Sequence, residues 1–140
     1  MQPLILNPGD DQLRRALREC RRIAVVGLSP DPSRPSHDVA SYMQRQGYQI
    51  IPVNPKGERI LGEQCYPDLA AIPGPVEVVD VFRRSEHLVP IAQEAVAKGA
   101  KVLWMQQGVM NAQAARLAEQ AGLLVVQDSC LKIEHARLKP

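Results

Sequence analysis

The chain has 140 residues, of which 45% are hydrophobic, enough to bury one core and little beyond it. Seventeen Lys and Arg against 15 Asp and Glu give a net charge of +2, and the signs are interspersed. No basic or acidic tail therefore argues for nucleic acid or a membrane surface as partner. Cys20, Cys65 and Cys130 are odd in number and lack metal-ligand spacing, the usage of reduced thiols in a cytoplasmic protein. Leu4, Ile5 and Leu6, set between prolines, are too few for a signal sequence or a membrane span. Residues 1–140 read as one cytoplasmic domain, with no linker, repeat or low-complexity tract.

Apolar runs alternate with amphipathic segments from end to end. Asp10 or Asp11 can cap a first helix reaching about Cys20, with Leu13, Ala16 and Leu17 on one face. Residues 23–27 (IAVVG) form a continuous apolar strand ending in a glycine turn. Ser36 is placed to cap a second helix carrying Val39, Ala40 and Met43, which stops at Gly47. Residues 49–53 (QIIPV) give the second strand, broken by NPKG. One short helical turn is expected over Tyr66 to Ile72, and a third strand over Val76 to Phe82. A helix over His87 to Lys98 accommodates Pro90 in its first turn and stops at Gly99. Residues 101–105 (KVLWM) form strand four, Asn111 caps the next helix, residues 123–126 form strand five, and Leu131 to Leu138 is helical.

Strands that are apolar on both faces and separated by helices mean a parallel sheet covered on both sides. The expected fold is α/β, a Rossmann-like doubly wound five-stranded parallel sheet in the order 3-2-1-4-5, with helices on both faces. In such folds ligands bind beyond the carboxyl ends of the strands. Those ends carry Gly27-Leu28-Ser29, Asn54-Pro55-Lys56, Phe82-Arg83-Arg84-Ser85 and Gln106-Gln107-Gly108. Glycines, hydroxyls and cations thus converge on one edge, while the other edge receives mainly the helix-ending Gly47, Gly99 and Gly122.

The first loop, VVGLSPDPSRPS, lacks the second and third glycines of a dinucleotide fingerprint. Gly27 still permits the sharp turn, the helix begun near Ser36 offers free N–H groups to an anion, and Arg34 adds a fork of donors suited to phosphate. An NAD site places an acid at the second strand end; here Lys56 stands in that region and suits a ribose carrying an extra phosphate. NADP and coenzyme A both meet that description. Arg83 and Arg84 add two more cations, and Glu86 is placed to pair with one. Phe82 reads as core, with an adenine neighbour as the other reading; Trp104 reads as core, and Asp80 as a buried, hydrogen-bonded acid rather than a catalytic one. His37, His87 and His135 are scattered, no nucleophile or acid stands at a recognisable spacing, and nothing near Cys130 obviously lowers its pKa.

Four stretches in this order and spacing carry a resemblance: VVGLSPDPSRPSHDVA, IIPVNPKGERILGEQCYPDL, VVDVFRRSE and CLKIEHARL. The chain resembles, from about Ile23 to Leu138, the small bacterial CoA-binding domain proteins. These are similar to the N-terminal CoA-binding domain of the succinyl-CoA synthetase alpha subunit. The resemblance implies that Gly27, Leu28 and Ser29 line a pyrophosphate turn completed by Arg34, Pro35 and Ser36. It implies that Val53, Asn54, Pro55 and Lys56 flank the adenosine, with Lys56 placed for its phosphate. Val81, Phe82 and Arg83 would border the adenine, and Gln106 and Gly108 the pantetheine path. Related chains usually have Arg where Ser129 stands here.

In the synthetase, the catalytic histidine and the phosphate-handling groups lie in a second domain and a partner subunit, and this chain ends where the first domain ends. The function expected is a stand-alone coenzyme A or acyl-CoA binding protein, acting as carrier, sensor or regulator without chemistry of its own. The alternative is a small NADP-linked or thiol-dependent redox enzyme or sensor. A metal site and a nucleic-acid or membrane partner are not expected; a protein partner or homo-oligomer is left open.

Overall fold

Side chains alternate across a strand, so runs that are apolar throughout must feed two cores at once. The computed structural model, which describes residues 5–140, has that arrangement; Leu4 of the N-terminal apolar run lies outside the described residues. The chain runs α1 (Asp10–Glu19), β1 (Arg22–Val26), α2 (Pro35–Arg45), β2 (Gln49–Val53), β3 (Arg59–Ile60), β4 (Glu63–Gln64) and β5 (Val78–Val81). It continues through a single 3-10 turn at Ser85–His87 into α3 (Leu88–Lys98), β6 (Val102–Met105), α4 (Ala112–Gln120), β7 (Leu124–Val126) and α5 (Leu131–Leu138). Ala24, Val26, Ile51, Val79, Leu103, Met105 and Val125 pack under the alanine-rich faces of α3 and α4. Ile23, Val25, Ile50, Val78, Trp104 and Val126 meet Leu13 and Leu17 of α1, Val39 and Met43 of α2, and Leu131 and Leu138 of α5.

The sheet is a Rossmann-like, doubly wound, five-stranded parallel sheet with helices on both faces, as expected, but its order is β2-β1-β5-β6-β7. Counting only the five main strands, that is 2-1-3-4-5 and not 3-2-1-4-5. The reason is legible at Pro52. Proline has no N–H to give a second neighbour, so its strand belongs at a sheet edge. β2 pairs on its inner side with β1 and, among the described residues, carries on its outer side a single isolated bridge to Tyr66, whose N–H donates to Pro52 O at 3.0 Å. The third strand therefore docks on the free side of β1.

Several boundaries shift for physical reasons. Gly9, not an aspartate, is the N-cap of α1, and no side chain caps it. Asp10 and Asp11 fall in the first turn, where they complement the helix dipole, and Asp10 takes both guanidinium nitrogens of Arg137 at 2.8 and 2.9 Å. α2 starts two residues earlier than a Ser36 cap implies, with Arg34 as N-cap and Pro35 pre-set for the first helical position. Ser36 is thereby a buried first-turn residue, not the cap.

Residues 66–72 form a single hydrogen-bonded turn, the Ile72 N–H donating to Leu69 O at 3.2 Å, and no helix. Asp68 Oδ1 accepts the N–H of Ala71 at 2.9 Å, Leu69 and Ile72 are buried, and Pro73 stops any continuation. The β3–β4 hairpin turns through Leu61 and Gly62, both at positive φ (55° and 77°), a tight turn for which leucine is an unusual signal. Asn111 does cap α4, accepting the Ala114 N–H at 2.9 Å. Asn111→Ala should cost about 1 kcal/mol, read as a lower urea midpoint at unchanged slope.

Candidate functional site

In a sheet of order 2-1-3-4-5 the winding reverses between β1 and β5, and the crevice opens beyond their carboxyl ends. A cleft of about 900 Å³ lies there, walled by residues following β1, β2, β5 and β6, by the first residues of α2 and by Cys130, the N-cap of α5. Gly27 makes the convergence possible. Its φ is +89°, its N–H donates to Val53 O at 3.0 Å, and a Cβ at this position would sit 2.5 Å from Phe82 O and 3.3 Å from Arg83 Nε. The ends of β1, β2 and β5 can meet only because this residue has no side chain.

The rest of the first loop is organised by side chains instead of glycines. Ser29 N–H donates to Ser36 Oγ at 3.0 Å, tying the loop to the first turn of α2. The Asp31 N–H donates to Ser29 Oγ at 3.1 Å, and Asp31 Oδ1 accepts from the Ser33 N–H at 2.9 Å and its hydroxyl at 2.8 Å. Those two bonds hold the Asp31 carboxyl below the usual carboxylate range. Asp38, a carboxylate in the first turn of α2, is engaged by Lys132 of α5 at 2.9 Å. At the end of β2, Asn54 Nδ2 donates to Leu28 O at 3.0 Å and Oδ1 accepts the Lys56 N–H at 2.9 Å, which pins the NPKG turn against the first loop.

Four cations face this cleft: Arg34 at the start of α2, Lys56 after β2, and Arg83 and Arg84 after β5. Arg84 lies 3.9 Å from the exposed Glu86. Among the described residues Arg34, Lys56 and Arg83 form no ion pair, so their charge is available to an anion entering the cleft. Gln106 and Gln107 close the far side, with Val109 and the half-buried Cys130 beside them.

Beneath Gln106 lies Asp80, in the middle of β5 between Val25 and Trp104 of the neighbouring strands. It is fully buried; Gln106 Nε2 donates to its Oδ1 at 2.6 Å and its Oδ2 has no hydrogen-bond partner. Burial raises its pKa to about 7, opposed by the Gln106 hydrogen bond.

Of the residues expected at the site, Gly27, Leu28, Ser29, Arg34, Pro35, Ser36, Asn54, Pro55, Lys56, Phe82, Arg83 and Gln106 line one cleft. Val53, Val81 and Gly108 do not. Val53 and Val81 share register with Val26, and all three point into the core under α3 and α4. Gly108 donates its N–H to Asp128 Oδ1 at 2.7 Å, in the turn behind the cleft. Arg84 and Gln107, already at the strand ends in the sequence, are also in the wall, and the structure adds Pro30, Val39, Val109 and Cys130. Val39 was legible, standing one helical turn after Ser36, whereas Cys130 arrives only through the packing of α5. Phe82 is half-buried and lines the cleft as well as packing on the core; Trp104 is core, its Nε1 donating to Ser129 O at 2.8 Å.

The histidines stay apart. His135 Nδ1 lies 2.9 Å from the Tyr42 hydroxyl, and burial with the nearby Arg21 lowers its pKa. His87 is exposed beside Glu86, and His37 is not in the cleft wall. Cys20 and Cys65 are buried, and burial raises both thiols. Among the described residues no group of His, Cys, Asp and Glu gathers as a metal site, and no helix is long and apolar enough to cross a membrane.

Residues 21–136 match the family model described as a CoA binding domain. The chain is 44% identical over 133 residues to the uncharacterised protein YneT of Bacillus subtilis, covering 95% of this chain and 98% of that one. It is 29% identical over 120 residues to acetate–CoA ligase (ADP-forming) I of Archaeoglobus fulgidus, covering 78% of this chain and 17% of the ligase. Among solved structures, a hypothetical protein from Pyrococcus horikoshii superimposes with a TM-score of 0.93 at 38% identity, over 100% of this chain and 99% of that one. The chain belongs to the CoA-binding domain family and is homologous to the CoA-binding domain of the ADP-forming acetate–CoA ligases.

Proposed function

We propose that this cleft binds coenzyme A, free or as an acyl thioester, and that the protein serves as a cytoplasmic carrier, sensor or regulator built from one domain over residues 1–140. The observation that carries this reading is the convergence of Arg34, Lys56, Arg83 and Arg84 on a cleft at the switch point of a parallel sheet. The start of α2 adds a positive dipole end on the same wall. Family membership supports the same ligand. Lys56, where an NAD site would hold an acid, supports a ligand with a phosphate on its ribose. The groups that face the cleft are cations, amides, hydroxyls, one thiol and the apolar side chains of Leu28, Val39, Phe82 and Val109, a set suited to holding a polyanion with a long arm.

Calorimetry tests the phosphate assignment: CoA should bind more tightly than dephospho-CoA, and equal affinities would refute it. Lys56→Glu should weaken CoA by about 1–3 kcal/mol through loss of a charge-assisted contact. The alternative, a thiol-dependent redox protein, draws on one observation, that Cys130 reaches the cleft wall. A binding-only role leaves CoA affinity unchanged in Cys130→Ser. A redox role abolishes thiol–disulfide exchange with CoA disulfide in that variant.

A further inference from the structure

The hydrogen bond under the cleft floor joins a group that titrates to a group that has two chemically opposite ends. We propose that Asp80 is a proton-operated positioning residue that decides which end of the Gln106 amide meets the ligand. Ionised, Asp80 holds the Gln106 NH2 and leaves Oε1 facing the cleft as an acceptor for an amide N–H of the ligand. Protonated, it donates to Oε1 and turns the NH2 outward. This inference rests on the CoA reading and deepens it, because the pantetheine arm of CoA carries amide N–H groups.

Three features of the structure support it. First, a primary amide offers a donor on one side and an acceptor on the other, and an ionised carboxylate can only accept. Gln106 is 4% exposed yet lines the cleft, so whichever end faces Asp80 fixes the end offered to a ligand. Second, the 2.6 Å separation falls just below the usual N–H···O range and well within that for O–H···O, so the spacing accommodates a carboxylic acid donating to the amide as well as a carboxylate accepting from it.

Third, Asp80 is compensated by little else. Oδ2 is without a partner, and β1 and β6 flank it with Val25 and Trp104. The helices on this face contribute Leu13 and Leu17 from α1, Val39 and Met43 from α2, and Leu131 from α5. Asp38 and Lys132 of those helices are paired with each other, and Cys130 stands at the cleft wall. Burial places the carboxyl near neutrality, at about 7, where both states are populated. The acceptor state is the one that serves the ligand's N–H, because Arg34, Lys56, Arg83 and Arg84 are donors only.

The test is calorimetry of CoA with the wild type and Asp80→Asn across roughly pH 5.5 to 8.5, bracketing that value. Asparagine keeps the shape and can serve either amide end without a proton. Wild-type affinity should rise about tenfold through neutrality, the scale of one hydrogen bond, and the variant should lack that step. Adenosine 3′,5′-bisphosphate, which has the phosphates and no amide arm, should show no difference between the two proteins. Equal pH dependence in wild type and variant, or the same difference with the bisphosphate, overturns the switch while leaving CoA binding intact. Failure of CoA to bind either protein at any pH overturns the CoA reading and the switch with it. A measurement on the wild type alone guards against a misfolded variant. The Asp80 carboxyl carbon and the Gln106 side-chain amide should titrate with one NMR midpoint, and an amide signal that ignores the carboxyl refutes the coupling.

Discussion

Gly27→Ala is expected to cost about 2–5 kcal/mol of stability and to weaken CoA binding at the same time. The added Cβ would lie 2.5 Å from the Phe82 carbonyl oxygen and 3.2 Å from its carbon, both backbone atoms just past the carboxyl end of β5. Relief requires β5 to move away from β1, and β5 carries Phe82, Arg83 and Arg84 into the cleft. Gly47 is the matched control. Its φ of +96° is as unfavourable for alanine as the +89° of Gly27, but nothing stands within 4 Å of a Cβ there. Gly47→Ala should therefore lose only about 1 kcal/mol and bind CoA normally. Urea denaturation of both variants separates the steric contribution from the conformational one.

The second large effect is a pH dependence of stability with an unusual sign. The Asp80 carboxyl titrates near 3.8 when exposed and at about 7 in the folded protein. Between those values the native state keeps a proton that the unfolded chain releases, so stability falls as pH rises. The loss is on the order of 4 kcal/mol by pH 8. Glu77 works in the opposite direction. Its Oε1 accepts the N–H groups of Arg21 and Arg22 at 2.8 and 3.0 Å, which depress its pKa against the pull of burial, so its contribution is lost on acidification. The comparison that isolates Asp80 is thus the difference between wild type and Asp80→Asn at pH 5 and pH 8. The variant should gain on the wild type as pH rises. A constant difference would show that Asp80 is already ionised throughout.

Periodicity and helix punctuation made most of this architecture readable, because each strand is apolar on both faces and several helices end at a glycine with positive φ. Gly47, Gly99 and the Asn111 cap act where the sequence places them. Strand order was less accessible, since right-handed crossovers permit more than one order. The deciding residue, Pro52, was visible but speaks about a neighbour that is absent and not about its own strand. Ser36 has the chemistry of a cap, but Arg34 and Pro35 pre-empt that role, and its actual task, accepting the Ser29 N–H, depends on a loop geometry that no local pattern encodes.

At the site, the twelve expected residues that line the cleft are those following strand ends or opening α2. Strand topology alone brings such positions together. Val53 and Val81 fail for a simple reason: the last residue of a strand points to one face only, and theirs is the α3 face. Asn54 is in the cleft wall, yet its side chain is spent on Leu28 and Lys56. The partnership of Asp80 with Gln106 spans 26 positions and two strands, beyond the reach of any motif.

The most direct test of the central claim is a titration of the isotope-labelled protein with CoA followed by two-dimensional amide NMR. Binding in the cleft predicts saturable shifts concentrated at Gly27, Ser29, Ser36, Lys56, Arg83 and Gln106, with the distant Tyr48 and Gly99 unmoved. Absence of saturable shifts, or shifts centred away from the ends of β1, β2 and β5, would contradict it.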